Sequence, residues 1–343
     1  MPARKLSVKR PVLLVAAVFL VGAAIGALLS GVLHRSGGGR RVVIERTVTR
    51  TAGAGAARGS TPVRPAPKTA APMSSGAPAA DGTRTSFRAL AARLPGAAGV
   101  AVAPLAAGPI ETFGAVQVTH AWSTSKVPVL VTLLHDDETS GRALGDAAAA
   151  EASLALEQSD NAAVEALFAR LEQIHGGLVG ASGAVQQALR RAGDRSTVIN
   201  TAPNDEGFTT YGQTEWSLSG EVTFYRALAR GCLLDRADTD YVLELMRRVT
   251  DSQRWGAGSA GYPSTTPVAF KGGWGPDDKG RYQVRQTAII GAGGRGYVVS
   301  MLALPASGAF ADGTAMITAL AGWARRQFNS EATGPSAQCV AAE

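Results

Sequence analysis

Three runs toward the C-terminal end, "TPVAFKGG", "YQVRQTAIIGA" and "GYVVSMLALP", combine β-branched residues with period-two alternation and Gly-rich boundaries, and read as strands. Two more strand-like runs, "GVAVAPL" and "FGAVQVTHAW", stand far earlier in the chain. The residues between are helical in pattern, over 125–135, 146–157, 161–173, 183–192, 218–229 and 238–249, and "GTAMITALAGWARRQF" closes the region as an amphipathic helix. A strand must find partners for its backbone N–H and C=O groups. The early strands therefore have to join the late ones, which brings both ends of the region into one antiparallel sheet. This predicts an α+β fold in which the sheet is flanked by helices and an all-helical subdomain fills the middle of the sequence.

Ahead of that region, residues 11–33, "PVLLVAAVFLVGAAIGALLSGVL", carry no charge. As a helix they would reach about 35 Å, enough to cross a bilayer. Arg4, Lys5, Lys9 and Arg10 favour a cytoplasmic N-terminus, residues 1–10, with the globular part outside; Arg35, Arg40 and Arg41 beyond the run oppose that orientation. The alternative is a cleaved signal peptide and a secreted product, against which stand the length of the run and the lack of a small-x-small cleavage site. Residues 34–85 are Gly, Ala, Pro, Ser, Thr and Arg with few large apolar side chains, and read as a tether. The globular domain is expected over 86–328, followed by a loose tail over 329–343.

The formal net charge of +7 belongs to the N-terminal part, where 13 Lys and Arg up to residue 85 face only Glu45 and Asp81. The remainder is mildly acidic and does not interleave basic with aromatic residues, which argues against a nucleic-acid partner. The two cysteines, Cys232 and Cys339, are free to pair on the outer side of a membrane, and nothing in the sequence places them together. "GAGGRG", residues 291–296, matches the spacing of a dinucleotide fingerprint but runs into the strand "YVVSMLAL" where a pyrophosphate would need a helix, so it is a hairpin turn. There is no G-x-x-x-x-G-K-[ST], no H-E-x-x-H and no G-x-S-x-G, and the four histidines are too scattered for a metal cage. No cofactor or metal is implied.

What remains is chemistry carried by serine and lysine. In "THAWSTSKVPVLVTLL" a helix beginning near Ser123 puts Lys126 one turn on, with its amine on the face of the Ser123 hydroxyl. A lysine with a depressed pKa accepts a serine proton, and a helix start aims backbone N–H groups at an oxyanion. One S-x-x-K alone is weak, since a capped helix with an exposed lysine has the same sequence. The chain adds "EQSDNAAVEAL", with Ser159, Asp160 and Asn161 at a helix start, and "VAFKGGWG", with Lys271 at a strand end. S-x-x-K, then S-D-N, then K-G-G in this order resembles the penicillin-recognising serine hydrolases, most closely class A β-lactamases and related penicillin-binding proteins, over roughly residues 96–327.

The resemblance implies that Ser123 is acylated, that Lys126 is its base or proton relay, and that Ser159 passes a proton to the leaving group. It implies that Asn161 orients substrate and lysine while Asp160 holds backbone donors. Lys271 would bring positive potential to the substrate carboxylate and hold down the pKa of Lys126. The N–H groups of Ser123 and Trp274, beside Gly273, would form the oxyanion hole. Arg285 would bind the substrate carboxylate, with Arg281 competing for that role. Three departures qualify this. Gly272 brings no hydroxyl to the third motif, the interval from Ser123 to Ser159 is short, and "NTAPNDEGFTTYGQTEW" lacks the E-x-x-x-N of the class A deacylating loop, leaving Asp205 and Glu206 as candidates against a solvated turn. Glu215 instead belongs near the helix that Ser217 caps. Two functions follow: an acyl-serine hydrolase acting on β-lactams or on wall peptide and related amides and esters, or a catalytically weak descendant that binds penicillin, peptidoglycan or a partner.

Overall fold

The computed structural model describes residues 81–202, 208–328, 330, 332 and 339. The apolar run over 11–33 and nearly all of the expected tether lie outside these residues, and no helix among the described residues is long and apolar enough to cross a membrane.

Five strands make the main sheet, in the order β2-β1-β7-β6-β5, with every pairing antiparallel. They are β1 (Gly96–Pro104), β2 (Glu111–Gly114), β5 (Val268–Pro276), β6 (Tyr282–Ile290) and β7 (Tyr297–Pro305). The early and late strands meet as expected, with Val100 opposite Met301. The "GAGGRG" segment is the β6–β7 hairpin turn, where Gly291, Gly293, Gly294 and Gly296 all take positive φ. "FGAVQVTHAW" is two strands, not one. Gly114 sits at φ 84 with no room for a side chain beside the Ala98 carbonyl, so β2 ends there and the chain restarts as β3 (Val118–His120). β3 pairs with β4 (Glu215–Ser217) in a separate two-stranded sheet.

Alternation along the central strands explains the two cores. Val100 and Val102 point to one face, packed with Phe87 of α1 (Asp81–Ala91) and Trp323 of α8 (Phe310–Gln327). Ala101 and Ala103 point to the other, where small side chains admit the helical block. That block comprises α2 (Lys126–Thr139), α3 (Asp146–Glu157), α4 (Asn161–His175), α5 (Leu178–Ala192), α6 (Leu218–Ala229) and α7 (Arg236–Arg247). α1 begins at Asp81, so the folded domain starts ahead of the boundary expected at residue 86: Phe87 and Leu90 are an amphipathic helix's buried face, closed over by Phe113 and Trp323. Cys232 and Cys339 form a disulfide that ties residue 339 back to the turn after α6.

Candidate active site

Between β3 and α2 the chain closes into a tight 3₁₀ turn, Trp122–Ser125. Ala121 N–H donates to Thr214 at 2.8 Å, Thr124 Oγ1 to Ala121 O at 2.6 Å and Ser125 Oγ to Trp122 O at 2.6 Å. From α6, the Tyr225 hydroxyl donates to Thr124 O at 3.1 Å. The turn holds Trp122 at φ 47, and Ser159 stands at φ 59; among the described residues these are the only non-glycine residues with positive φ. Each such placement costs on the order of 1–3 kcal/mol, and it survives only where surrounding bonds impose it. Both residues border one cleft.

Three residues per 3₁₀ turn put Ser123 and Lys126 in line, with Lys126 opening α2. The Lys126 amine donates to Ser159 O at 2.5 Å, Asp160 O at 3.0 Å and Asn161 Oδ1 at 2.7 Å. These contacts fix it to the S-D-N turn at the start of α4. The Asp160 carboxylate instead caps that helix, accepting from Ala163 N–H at 2.7 Å. From β5, the Lys271 amine donates to Ser159 Oγ at 2.8 Å and to Gly272 O at 3.1 Å. Ser159 therefore stands between two amines, its carbonyl on one and its hydroxyl on the other.

Neither amine is salt-bridged among the described residues. Lys126 is 1 % exposed, and burial brings its pKa down to about 7 against the opposing pull of Asp160 and Glu165. Lys271 is wholly buried, and desolvation first, then the Lys126 charge, pushes it well below the usual lysine range. The sequence reading had Lys271 holding Lys126 down; burial is the main cause for Lys126, and the mutual repulsion falls on the more deeply buried Lys271.

Glycine lets β5 approach the nucleophile turn. A Cβ on Gly273 would stand 2.9 Å from Ala121 O and 3.0 Å from the Ser123 nitrogen, and one on Gly275 would meet the Trp122 ring at 2.5 Å. The segment carrying the Trp274 N–H is thereby brought against the turn carrying the Ser123 N–H. The cleft in front of them encloses about 240 Å³, with Ser123, Ser159 and Asn161 as its polar floor and Trp122, Trp274 and Tyr282 among its walls. Phe208 and Thr209 line it too, Phe208 packing edge-on against Trp122 at 5.3 Å. Asp205 and Glu206 lie outside the described residues.

A serine, two desolvated amines and a second serine between them are the parts of an acyl-transfer site. Residues 150–324 match the beta-lactamase enzyme family, just over half of the chain. The chain belongs to that family. The matched stretch contains Ser159, Asn161 and Lys271 and begins after Ser123 and Lys126. Among solved structures, a class A beta-lactamase from Mycobacterium abscessus is 19% identical with a TM-score of 0.57, covering 71% of this chain and 98% of its own. A beta lactamase from Xanthomonas campestris pv. campestris is 17% identical with a TM-score of 0.57, covering 72% and 97%. A beta-lactamase from Streptosporangium roseum is 17% identical with a TM-score of 0.56, covering 72% and 98%. At these identities the likeness is one of fold. No curated protein matches the chain. The family and the arrangement of its parts make this a serine hydrolase of the beta-lactamase type.

Two site residues expected from the resemblance are corrected. Arg285 is fully buried and turned away from the cleft: its guanidinium donates to Glu221 Oε2 at 2.6 Å and to the carbonyls of Thr119, His120 and Trp216 at 2.9 to 3.2 Å. So held, and with no exposed surface, the guanidinium is not part of the cleft lining. Its rival Arg281 is exposed and closed on Asp277 at 2.8 Å. The glycine at 272 also has a physical cause, since a Cβ there would meet the Trp255 ring at 2.7 Å. Trp255 fills the space a Thr or Ser side chain would need. Sequence reasoning missed Trp255, Glu221 and the aromatic walls other than Trp274. A signal existed only for Glu221: it lies three residues after Leu218 and four before Tyr225, on the buried face of α6, where an acid requires a cationic partner.

Proposed function

We propose that this domain is an acyl-serine hydrolase that forms an ester at Ser123 with β-lactams, wall-peptide amides or related esters. Lys126, neutral in part at pH 7, takes the Ser123 proton; the N–H groups of Ser123 and Trp274 receive the oxyanion; Ser159, bridged to Lys271, returns a proton to the leaving group; Asn161 orients Lys126. The observation that carries this reading is the pair of buried amines on either side of Ser159. A capped helix with a solvated lysine would have left Lys126 exposed and near 10.5. The membrane span over 11–33 with the domain facing outward is part of the proposal and rests on the uncharged apolar run and the basic residues before it.

A fluorescent penicillin or ester probe should label the full-length protein and not Ser123→Ala, with the adduct seen in the intact mass. Absence of any adduct at high protein concentration favours the binding-only alternative. Asp205 and Glu206 are the sequence candidates for water activation. If Asp205→Asn and Glu206→Gln both keep a burst near one equivalent and the slow phase after it, neither acid is that base, since a true base contributes about 10²- to 10⁴-fold.

A further inference from the structure

The turn that carries Ser123 is held from behind by two wholly buried side chains that do not line the cleft. From β6, the Arg285 guanidinium donates to Thr119 O at 3.1 Å and His120 O at 2.9 Å, at the end of the strand that leads into the turn. From α6, the Tyr225 hydroxyl donates to Thr124 O at 3.1 Å, within the turn. Glu221 orders both: its carboxylate accepts from Arg285 and from Ser300, and it stands one helical turn before Tyr225. The Thr124 carbonyl has a particular need of this donor. In an α-helix it would accept from the N–H four residues on, but that residue is Pro128, which has none. From within the turn it is approached by the Lys126 N–H, which Ser123 O shares.

The turn has reason to relax and little room to do so without loss. Trp122 at φ 47 is in a left-handed conformation that a bulky side chain keeps only where surrounding bonds impose it. On the cleft side the turn is already at contact with β5, since a Cβ on Gly273 would stand 3.0 Å from the Ser123 nitrogen. A turn that drifts off β5 separates the Ser123 N–H from the Trp274 N–H and moves the Ser123 hydroxyl against Lys126, and a displacement of about 1 Å in such a site costs on the order of 10²-fold in rate. Resting on the acyl-serine reading above, we propose that Tyr225 and Arg285 are positioning residues for acylation: from behind the cleft they hold the strained turn in the one conformation that presents both the hydroxyl and the N–H of Ser123. Neither touches substrate. Their loss is felt in the rate at which bound substrate is acylated and not in how well it is bound.

The test uses full-length protein in detergent and a fluorescent penicillin, with the acylation rate measured against probe concentration to give a limiting rate and a half-saturating concentration, and the adduct confirmed by intact mass. Tyr225→Phe removes one oxygen and keeps the ring. It should lower the limiting rate at least about tenfold while moving the half-saturating concentration less than about twofold. Arg285→Lys keeps a charge opposite Glu221 but not the fork that spans several carbonyls, and should lower the limiting rate in the same way. Tyr241→Phe is the control for a lost tyrosine bond elsewhere in the fold, since its hydroxyl donates to Ala149 O at 3.3 Å between α7 and α3, and it should acylate as the wild type does. Denaturant unfolding of each variant gives its folded fraction. A wild-type limiting rate in folded Tyr225→Phe or Arg285→Lys overturns the inference for that residue. It is also overturned if the loss only follows the unfolded fraction, if Tyr241→Phe loses as much, or if the half-saturating concentration rises while the limiting rate stands. Each of these leaves the acyl-serine reading intact, whereas no adduct on the wild type overturns both.

Discussion

The depressed pKa of Lys126 makes a quantitative prediction about rate. A solvated lysine at 10.5 is neutral in only ~0.03% of molecules at pH 7, whereas one at about 7 is neutral in roughly half, a gain in available base of about a thousandfold, or ~4 kcal/mol. Acylation of Ser123 should therefore rise with pH, about tenfold per unit below 6, bend near 7 and level off above ~8.5. The substrate must carry no ionisable group of its own, so that the titration belongs to the protein; a neutral phenyl ester followed by stopped-flow release of phenol meets this need. Glu165, whose negative charge raises Lys126, supplies the control: Glu165→Gln should move the bend to lower pH without changing the plateau greatly. Lys126→Arg should abolish acylation at every pH, because a guanidinium keeps its proton. A profile flat from pH 5 to 9, a bend near 10, or near-normal acylation in Lys126→Arg would refute the assignment of Lys126 as base.

The same titration bears on stability: the unfolded lysine holds its proton up to about 10.5 and the folded one releases it near 7, so this group's contribution rises with pH across that window, measurable by denaturant unfolding at pH 7 and 9. Glu221→Gln should destabilise the domain by about 3–5 kcal/mol, since it strands a wholly buried guanidinium that now pairs with Glu221; Glu221→Asp should recover part of the loss. Reducing the Cys232–Cys339 disulfide, which spans 107 residues, should cost roughly 2–5 kcal/mol, read as a fall in the denaturation midpoint in reductant.

The elements legible in the sequence were those whose boundaries are set by local chemistry. α3 and α6 begin and end where their patterns predict, and Ser217 caps α6 by accepting from Gly220 N–H at 3.0 Å. α5 starts at Leu178, ahead of the expected 183, because its first turn, "LVGASG", has too many small residues for a helical period and is held by packing on the helical block. β4, three residues long, is too short for any alternation to register. The disulfide partners were visible as residues but not as a pair, since nothing local brings positions 107 apart together.

In the site itself the division follows the same physics. Ser123, Lys126, Ser159 and Lys271 were readable as three short motifs, and the structure brings them to one cleft; Lys271, expected at a strand end, lies inside β5 because the two glycines after it continue the pairing with β6. Arg285 was misplaced because an arginine on a strand declares its type and not its partner, and the partner, Glu221, sits on a helix 64 residues earlier. Most of the aromatic wall was invisible for a related reason: Trp122, Phe208 and Tyr282 come from three separate segments, each an ordinary residue in its own stretch, and Trp274 was named only for its backbone N–H. The buried amines are the costly part of the site: two lysines taken out of water, neither paired with a carboxylate among the described residues, are held by hydrogen bonds to Ser159, Asn161 and backbone carbonyls.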